Sequence, residues 1–96
     1  MNLLTDFQKK VEKLLQELEK KEILVLPKSL KSLKVELSPK SQKGDLACNA
    51  AMILSKINNK SSLDLASLLK DSLLKNIIEI YSIDIAKPGF LNITLR

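Results

Sequence analysis

The sequence predicts an α+β fold, a small and mostly antiparallel sheet with about three helices packed on it. Two observations carry this prediction. Apolar residues recur at helical spacing or fill helix-length runs in three segments, and they alternate with polar residues in three shorter segments. The resulting order is helix, strand, helix, helix, strand, strand, which is typical of an α+β domain. We expect residues 1–96 to form one domain, because the chain is too short for two.

The first helix is expected over residues 3–20, where Glu and Lys alternate on the outer face. A coiled-coil or membrane-surface helix is the alternative interpretation. The apolar stripe lasts only two heptads and the polar face carries both signs, so packing on its own domain is favoured. The stripe consists of Leu3, Leu4, Phe7, Val11, Leu14, Leu15 and Leu18.

The next segment contains a short apolar run and then a strand. Residues 23–26 could be a strand or a last helical turn, and Pro27 ends them. Leu33, Val35 and Leu37 alternate with polar residues, which predicts a half-buried strand that Pro39 terminates.

Two helices are expected after this strand. Asp45 is predicted to be the N-cap of the first, since its carboxylate can accept a hydrogen bond from a first-turn amide. That helix, residues 46–57, is apolar nearly all round and should be buried, and Asn58 and Asn59 end it. The second is expected over residues 63–74, after a capping-box pattern of Ser61 with Asp64.

The last two strands are expected around Ile83 and Ile85 and over residues 91–95, where apolar and polar residues alternate. Between them, Pro88 and Gly89 fit the two central positions of a type II turn. Because such turns suit two-residue hairpins poorly, we expect a wider connection or a bulge. The apolar parity changes at Tyr81, so the strand cannot run unbroken through it.

Enzyme chemistry within this chain is not expected. There is no His, and Gly44 and Gly89 are the only glycines, which excludes Ser/His/Asp and Cys/His arrangements, a P-loop and a dinucleotide-binding loop. Cys48 is the only cysteine and lies in an apolar run, so it should fill the core. We therefore expect no catalytic, cofactor-binding or metal-binding residue here.

The N-terminus lacks the apolar region of a secretory signal, and no apolar run approaches the roughly 18 residues of a membrane span. These absences predict a cytoplasmic location and no membrane contact.

The charge distribution indicates a candidate binding segment. The net charge is +5, and residues 27–43 contain five lysines against the single acidic Glu36. This segment could face a polyanion, or it could be a solvated lysine-rich loop. As an RNA-binding loop, Lys40 and Lys43 would meet phosphates, and Ser41 and Gln42 would bond base edges or ribose. Asn49, polar in an apolar helix, could bond the preceding loop backbone or reach solvent.

Two motifs resemble those of a known family. The run Gly44-Asp45-Leu46-Ala47-Cys48-Asn49-Ala50-Ala51-Met52, followed by Ser55-Lys56, resembles the G-D-x-A-T-N-x-A-M…A-K motif of arginyl-tRNA synthetases. The later run Pro88-Gly89-Phe90-Leu91-Asn92-Ile93 is similar to their P-G-F-[IL]-N-[IFL] motif. The spacing between the motifs and the N-terminal amphipathic helix also fit, so the resemblance covers essentially the whole chain.

The resemblance implies an N-terminal accessory domain that contacts the D-loop corner of tRNA(Arg). ATP-dependent arginylation would then belong to a catalytic domain following Arg96, which makes tRNA(Arg) and that domain the expected partners of a monomer. ATP would be a cofactor of the parent enzyme only. The implied tRNA-binding residues are Lys40, Ser41, Gln42, Lys43 and Asn49, and the implied structural residues are Gly44, Asp45, Pro88, Gly89 and Phe90.

Two positions depart from the family pattern. Cys48 replaces a Thr, and Lys43 stands where the family often has His or an aromatic residue. A lysine supplies charge rather than base stacking, which favours contact with the RNA backbone. A structural or protein-docking module without RNA contact stays an alternative. A free-standing RNA-binding or inhibitor protein is a third, and it predicts a reading frame that ends near Arg96.

Overall fold

The computed structural model describes residues 3–38 and 44–96. Within them, the four strands form one antiparallel sheet in the order β1-β2-β4-β3, and three helices accompany it. The predicted α+β fold class is therefore confirmed. In chain order the elements are α1 (Leu3–Lys20), β1 (Val35–Leu37), β2 (Leu46–Cys48), α2 (Ala50–Leu54), α3 (Ser62–Asn76), β3 (Ile80–Ala86) and β4 (Phe90–Leu95).

The helices cover one face of the sheet. Inward-facing strand residues such as Cys48, Leu91 and Ile93 are fully buried, and they share one core with the buried residues of all three helices. On the opposite face Glu36 and Asp84 are exposed. Burial of each large apolar side chain contributes about 1.5–3 kcal/mol, so this single core stabilises the sheet and the helices together.

Helix α1 packs on this core through its apolar stripe, as the sequence predicts. It ends at a left-handed residue, Glu22 (φ 61°), where the Ile23 amide donates to the Leu18 carbonyl. Residues 23–26 are neither strand nor helix. In the part of the chain that the structure describes, no helix combines the length and apolarity that crossing a membrane requires.

The prediction of a helix over residues 46–57 with Asp45 as its N-cap is wrong. Leu46–Cys48 is a strand that pairs with β1 on one side and β4 on the other. A short apolar run is compatible with a buried central strand as well as with a buried helix. Here the run forms a strand because it hydrogen-bonds to a neighbouring strand on each side. The Asp45 carboxylate instead accepts a hydrogen bond from the Leu95 amide at 2.8 Å, and α2 begins after Asn49.

The start of α3 agrees with the sequence prediction, whereas α2 ends at Leu54 rather than at the predicted Ile57. Helical hydrogen bonding continues from Leu54 to the Asn58 amide, and Asn59 is left-handed (φ 52°). The Lys60 amide then donates to the Ser55 carbonyl, which completes a Schellman motif. At the N-terminus of α3, the Ser61 hydroxyl accepts a hydrogen bond from the Asp64 amide at 3.1 Å.

The β3–β4 hairpin confirms two predictions and corrects one. Its register is irregular between Ile80 and Ser82, as the parity change at Tyr81 predicts. The hairpin closes at the pair Ala86 and Phe90, which is the wider connection expected. The turn is not type II, because the Lys87–Pro88 peptide bond is cis and the Gly89 amide donates to the Ala86 carbonyl. A proline in cis at the third position defines a type VI turn.

Candidate nucleic-acid interface

The predicted RNA-binding loop lies between β1 and β2. Lys40, Ser41, Gln42 and Lys43 lie outside the described residues, so their RNA contacts stay a prediction. Both flanks of the loop are paired to the sheet. The Ser38 amide donates to the Asp45 carbonyl at 3.0 Å, and the Asp45 amide donates to the Ile93 carbonyl at 2.7 Å. The loop therefore begins and ends on fixed backbone.

Gly44 lies where this loop meets β4. Its φ of +91° is a conformation that side-chain-bearing residues rarely adopt. A Cβ atom added there would lie 3.0 Å from the Ile93 carbonyl oxygen, which belongs to the backbone of β4 and cannot move independently. The position thus requires glycine for two separate reasons, conformation and close approach. This supports the structural role that the family resemblance implies for Gly44.

The side chain of Asn49 holds the approach to β1 in place. Its Oδ1 accepts a hydrogen bond from the Lys34 amide at 2.8 Å, and its Nδ2 donates to the Ser32 carbonyl at 2.9 Å. Of the two alternatives considered from the sequence, bonding to a loop backbone is the one observed. In the part of the chain that the structure describes, the bonded segment is residues 32–34, whereas residues 40–43 lie outside it. A direct contact between Asn49 and RNA stays a prediction.

Cys48 lies in the middle of the sheet and its side chain is fully buried. Burial disfavours the charged thiolate and raises the pKa of this thiol to about 11, outweighing a hydrogen bond to the Ala50 backbone. The thiolate is the nucleophilic form, so a buried thiol with this pKa is inert near neutral pH. Elsewhere in residues 3–38 and 44–96, no three His, Cys, Asp or Glu side chains cluster as metal ligands.

A half-exposed aromatic ring lies on the face of the sheet that the helices leave open. Phe90 begins β4 and is 37% exposed. It lines a cavity of about 250 Å³. One cationic, one carboxylate, one amide and two apolar side chains line the same cavity. The other lining residues are Lys34, Glu36, Ala47, Asn49 and Met52. The structure therefore brings Asn49 and Phe90, from the two family-like motifs, to one cavity.

Sequence reasoning gave Phe90 a structural role only and did not connect it with the lysines. The available indication was its parity, because Phe90 alternates with Leu91 and shares a face with Asn92. A residue on this side of β4 lies away from the core that the helices cover, although Asn92 on the same side is itself buried. Its proximity to Lys34 depends on the pairing of β2 with β4, which the sequence analysis missed.

Comparisons with known proteins agree on one family. The family model for the arginyl tRNA synthetase N terminal domain matches residues 2–95. Arginine–tRNA ligase of Pelagibacter ubique is 38% identical over the whole chain, which covers 17% of that protein, and that of Brucella suis is 34% identical, with 16% covered.

The chain therefore spans about a sixth of the length of these relatives. Among solved structures, Thermus thermophilus arginyl-tRNA synthetase matches with a TM-score of 0.71 and 25% identity, covering 99% of this chain and 14% of that one. Both motifs and the order of the elements thus belong to one alignment that extends from end to end. The chain belongs to the family of arginyl-tRNA synthetase N-terminal domains.

Proposed function

We propose that this chain is the tRNA-contacting accessory part of an arginine–tRNA ligase. In this proposal it binds the D-loop corner of tRNA(Arg) and helps to position it for arginylation. The reaction itself, at the expense of ATP, belongs to the catalytic part of the parent enzyme. The observation that carries the proposal is the cavity at Phe90, where an exposed aromatic ring lies beside lysine-bearing segments in a member of this family.

The composition of the cavity favours a base over a phosphate. Glu36 would repel a phosphate group, whereas its carboxylate can accept a hydrogen bond from an exocyclic amino group. The ring of Phe90 offers a face on which an unpaired base can stack, and such stacking contributes about 1–3 kcal/mol per base. Unstacked bases of RNA loops are the usual targets of this kind of recognition.

Lys34, which lines the cavity, and the lysines that precede it in the chain suit the RNA backbone. Lys28, Lys31 and Lys34 are exposed along the segment that leads to β1, and Asn49 fixes the last part of that segment. Lys40 and Lys43 would add two cations from the loop beyond β1. Lysine charge beside a partly exposed aromatic ring is the combination expected at a site for single-stranded RNA.

Titration of a fluorescent tRNA(Arg) transcript with the chain tests this proposal. Phe90→Ala should weaken binding about 5- to 150-fold, the equivalent of one stacked base. Tyr81→Ala is the matched control, because Tyr81 is an exposed aromatic residue (66%) that does not line the cavity. It should leave the affinity unchanged.

A second transcript, with its D-loop replaced by a short tight loop, tests where the chain binds. The native chain should lose as much affinity on this transcript as Phe90→Ala loses on the intact one. The Phe90→Ala variant should bind the transcript with the replaced D-loop almost as well as it binds the intact one, because both changes remove the same contact. Equal binding of the native chain to both transcripts would contradict D-loop contact.

A docking role without RNA contact is the second candidate. It is favoured by Ile78, whose side chain is 80% exposed and whose carbonyl accepts a hydrogen bond from the Arg96 side chain. In this case the native chain would not bind either transcript, and Ile78→Ser would weaken its association with the rest of the synthetase.

A further inference from the structure

The turn between α2 and α3 carries two lysines in a single open cleft. Lys56 and Lys60 line a cavity of about 470 Å³ together with Ser55, Asn59 and Ser61. Among the residues that the structure describes, every lining side chain is cationic or a hydrogen-bonding neutral group, and none is a carboxylate. Such a surface differs from the Phe90 cavity, where Glu36 would disfavour a phosphate.

Hydrogen bonds hold the backbone of this turn in place, and they therefore also hold the Cα atoms of its two lysines. The Schellman motif bonds the Asn59 amide to the Lys56 carbonyl and the Lys60 amide to the Ser55 carbonyl. Asn58 is tied to the segment before β1, since its side chain accepts from the Val25 amide and donates to the Val25 carbonyl. The two lysines therefore extend from a rigid turn rather than from a flexible loop.

The tip of the β3–β4 hairpin lies close to residues of the Phe90 cavity and to a residue beside the cleft. Met52 lines that cavity, and its Cγ would lie 3.3 Å from a Cβ atom at Gly89. The same Gly89 position is 2.7 Å from the Cβ of Ser62, the residue next to Ser61 in the cleft. The exposed Lys87 lies at the same hairpin tip. The hairpin tip therefore approaches both Met52 of the Phe90 cavity and Ser62 beside the cleft.

We propose that Lys56 and Lys60 bind the phosphodiester backbone of the RNA strand whose base stacks on Phe90. The RNA strand would cross the hairpin tip. Its phosphates would contact the lysines between α2 and α3, as well as the lysines before β1 and in the loop that follows β1. This inference rests on the function proposed above, and it adds a second backbone site on the opposite side of the stacked base. A lysine pair here contacts phosphate as point charges, so it adds affinity without reading sequence.

The salt dependence of binding tests this site. The affinity of the native chain for the tRNA(Arg) transcript is measured across a salt series and compared with that of Lys56→Gln/Lys60→Gln. Loss of two phosphate contacts should reduce the magnitude of the logarithmic salt slope by about 1.4–1.8.

The control pair is Lys13→Gln/Lys75→Gln, which removes the same net charge. Lys75 is in the last turn of α3, and Lys13 lines a cavity with residues 76–79, so both lie at the end of α3 farthest from Ser61. Their substitution should leave the slope unchanged. All four lysines are exposed, at least in part, so thermal melts should show native stability in both variants.

A native slope in the Lys56→Gln/Lys60→Gln variant would overturn the second backbone site while leaving the proposed function standing. Equal losses in both variants would also overturn it, because the effect would then follow net charge. A native chain that binds no transcript at any salt would overturn the proposed function itself.

A separate titration with inorganic phosphate distinguishes a free anion from RNA. Saturable shifts at residues 56–61, together with an unchanged RNA slope, would assign the site to the free anion and contradict the proposal.

Discussion

The two hairpins of the sheet contribute to the open face in different ways. Strands β3 and β4 have seven and six residues, and residues 87–89 join them tightly. Strands β1 and β2 have three residues each, and a longer segment that includes residues 39–43 joins them. The long hairpin fixes the position of an aromatic ring, whereas the short hairpin carries charge in its connection.

A glycine anchors each connection, but against different partners. Gly44 approaches the backbone of β4, and Gly89 approaches the side chain of Ser62 at the start of α3. The first contact joins the two hairpins to each other, and the second joins a hairpin to a helix. The longer connection and the tight turn are therefore each held at one end by a different contact. Mutations can test these two contacts separately.

Alanine substitution of these glycines should have the largest effect. Gly44→Ala and Gly89→Ala should each lower the free energy of unfolding by about 2–4 kcal/mol, from backbone strain and steric overlap. Urea denaturation measures both. Ser62→Gly removes the Cβ that Gly89→Ala would meet, so the cost of Gly89→Ala should fall by about 1–2 kcal/mol in that background. The cost of Gly44→Ala should not change, and an undiminished cost of Gly89→Ala would contradict the assigned contact.

Cys48 lies in β2, the strand that joins the two hairpins, and should make the free energy of unfolding fall at alkaline pH. The pKa of Cys48 is about 11 in the folded chain, against 9.0 for an ordinary cysteine thiol. The folded state therefore keeps this proton longer, and the free energy of unfolding falls as pH rises from about 9 to 11. The stability advantage of the native chain over Cys48→Ala should shrink by roughly 2–3 kcal/mol over that range. A difference that stays constant over this pH range would contradict the effect of burial on the thiol.

The approach to β1 should depend on Asn49. Asn49→Ala removes the acceptor for the Lys34 amide and the donor to the Ser32 carbonyl, and should cost about 1–3 kcal/mol in the free energy of unfolding. Asn49→Asp keeps the acceptor and loses the donor, so it should cost less than Asn49→Ala. Chemical denaturation of the three proteins gives the order, and equal stability of all three would contradict the bracing role.

The smallest effect distinguishes a strand contact from a helix cap. Asp45→Ala should cost about 0.5–1.5 kcal/mol and speed amide exchange at Leu95, because the carboxylate bonds that amide. Ser61→Ala should cost about 0.5–2 kcal/mol and speed exchange at Asp64. Faster exchange within α2 in Asp45→Ala would restore the capping role that the structure contradicts.

The fold was predictable wherever periodicity extended over many residues. The apolar stripe of α1, the Ser61 cap of α3 and the strand at residues 91–95 were predicted from local patterns, and the structure confirms each. Strand β2 was not predictable, because Leu-Ala-Cys runs into an apolar helix without a break in composition. Its state depends on pairing with β1 and β4, which are distant in sequence.

The candidate site divides in the same way. Local composition identified the lysines of residues 27–43, and the role of the four loop residues stays a prediction. The cavity at Phe90 could not be derived, since it forms only when β4 lies beside β2 and Met52 of α2 lies near the hairpin tip. Asn49 was recognised as unusual, but its partners at residues 32–34 follow from the β1–β2 register.

The most direct test of the account compares the two hairpins on one tRNA(Arg) transcript across a salt series. Lys40→Gln/Lys43→Gln should weaken binding mainly at low salt and reduce the salt slope by about 1.4–1.8, because it removes phosphate contacts. Phe90→Ala should weaken binding by a similar factor at every salt concentration and leave the slope unchanged, because stacking releases no counterions. Native affinity and slope in both variants would contradict the proposal that these two hairpins contact RNA.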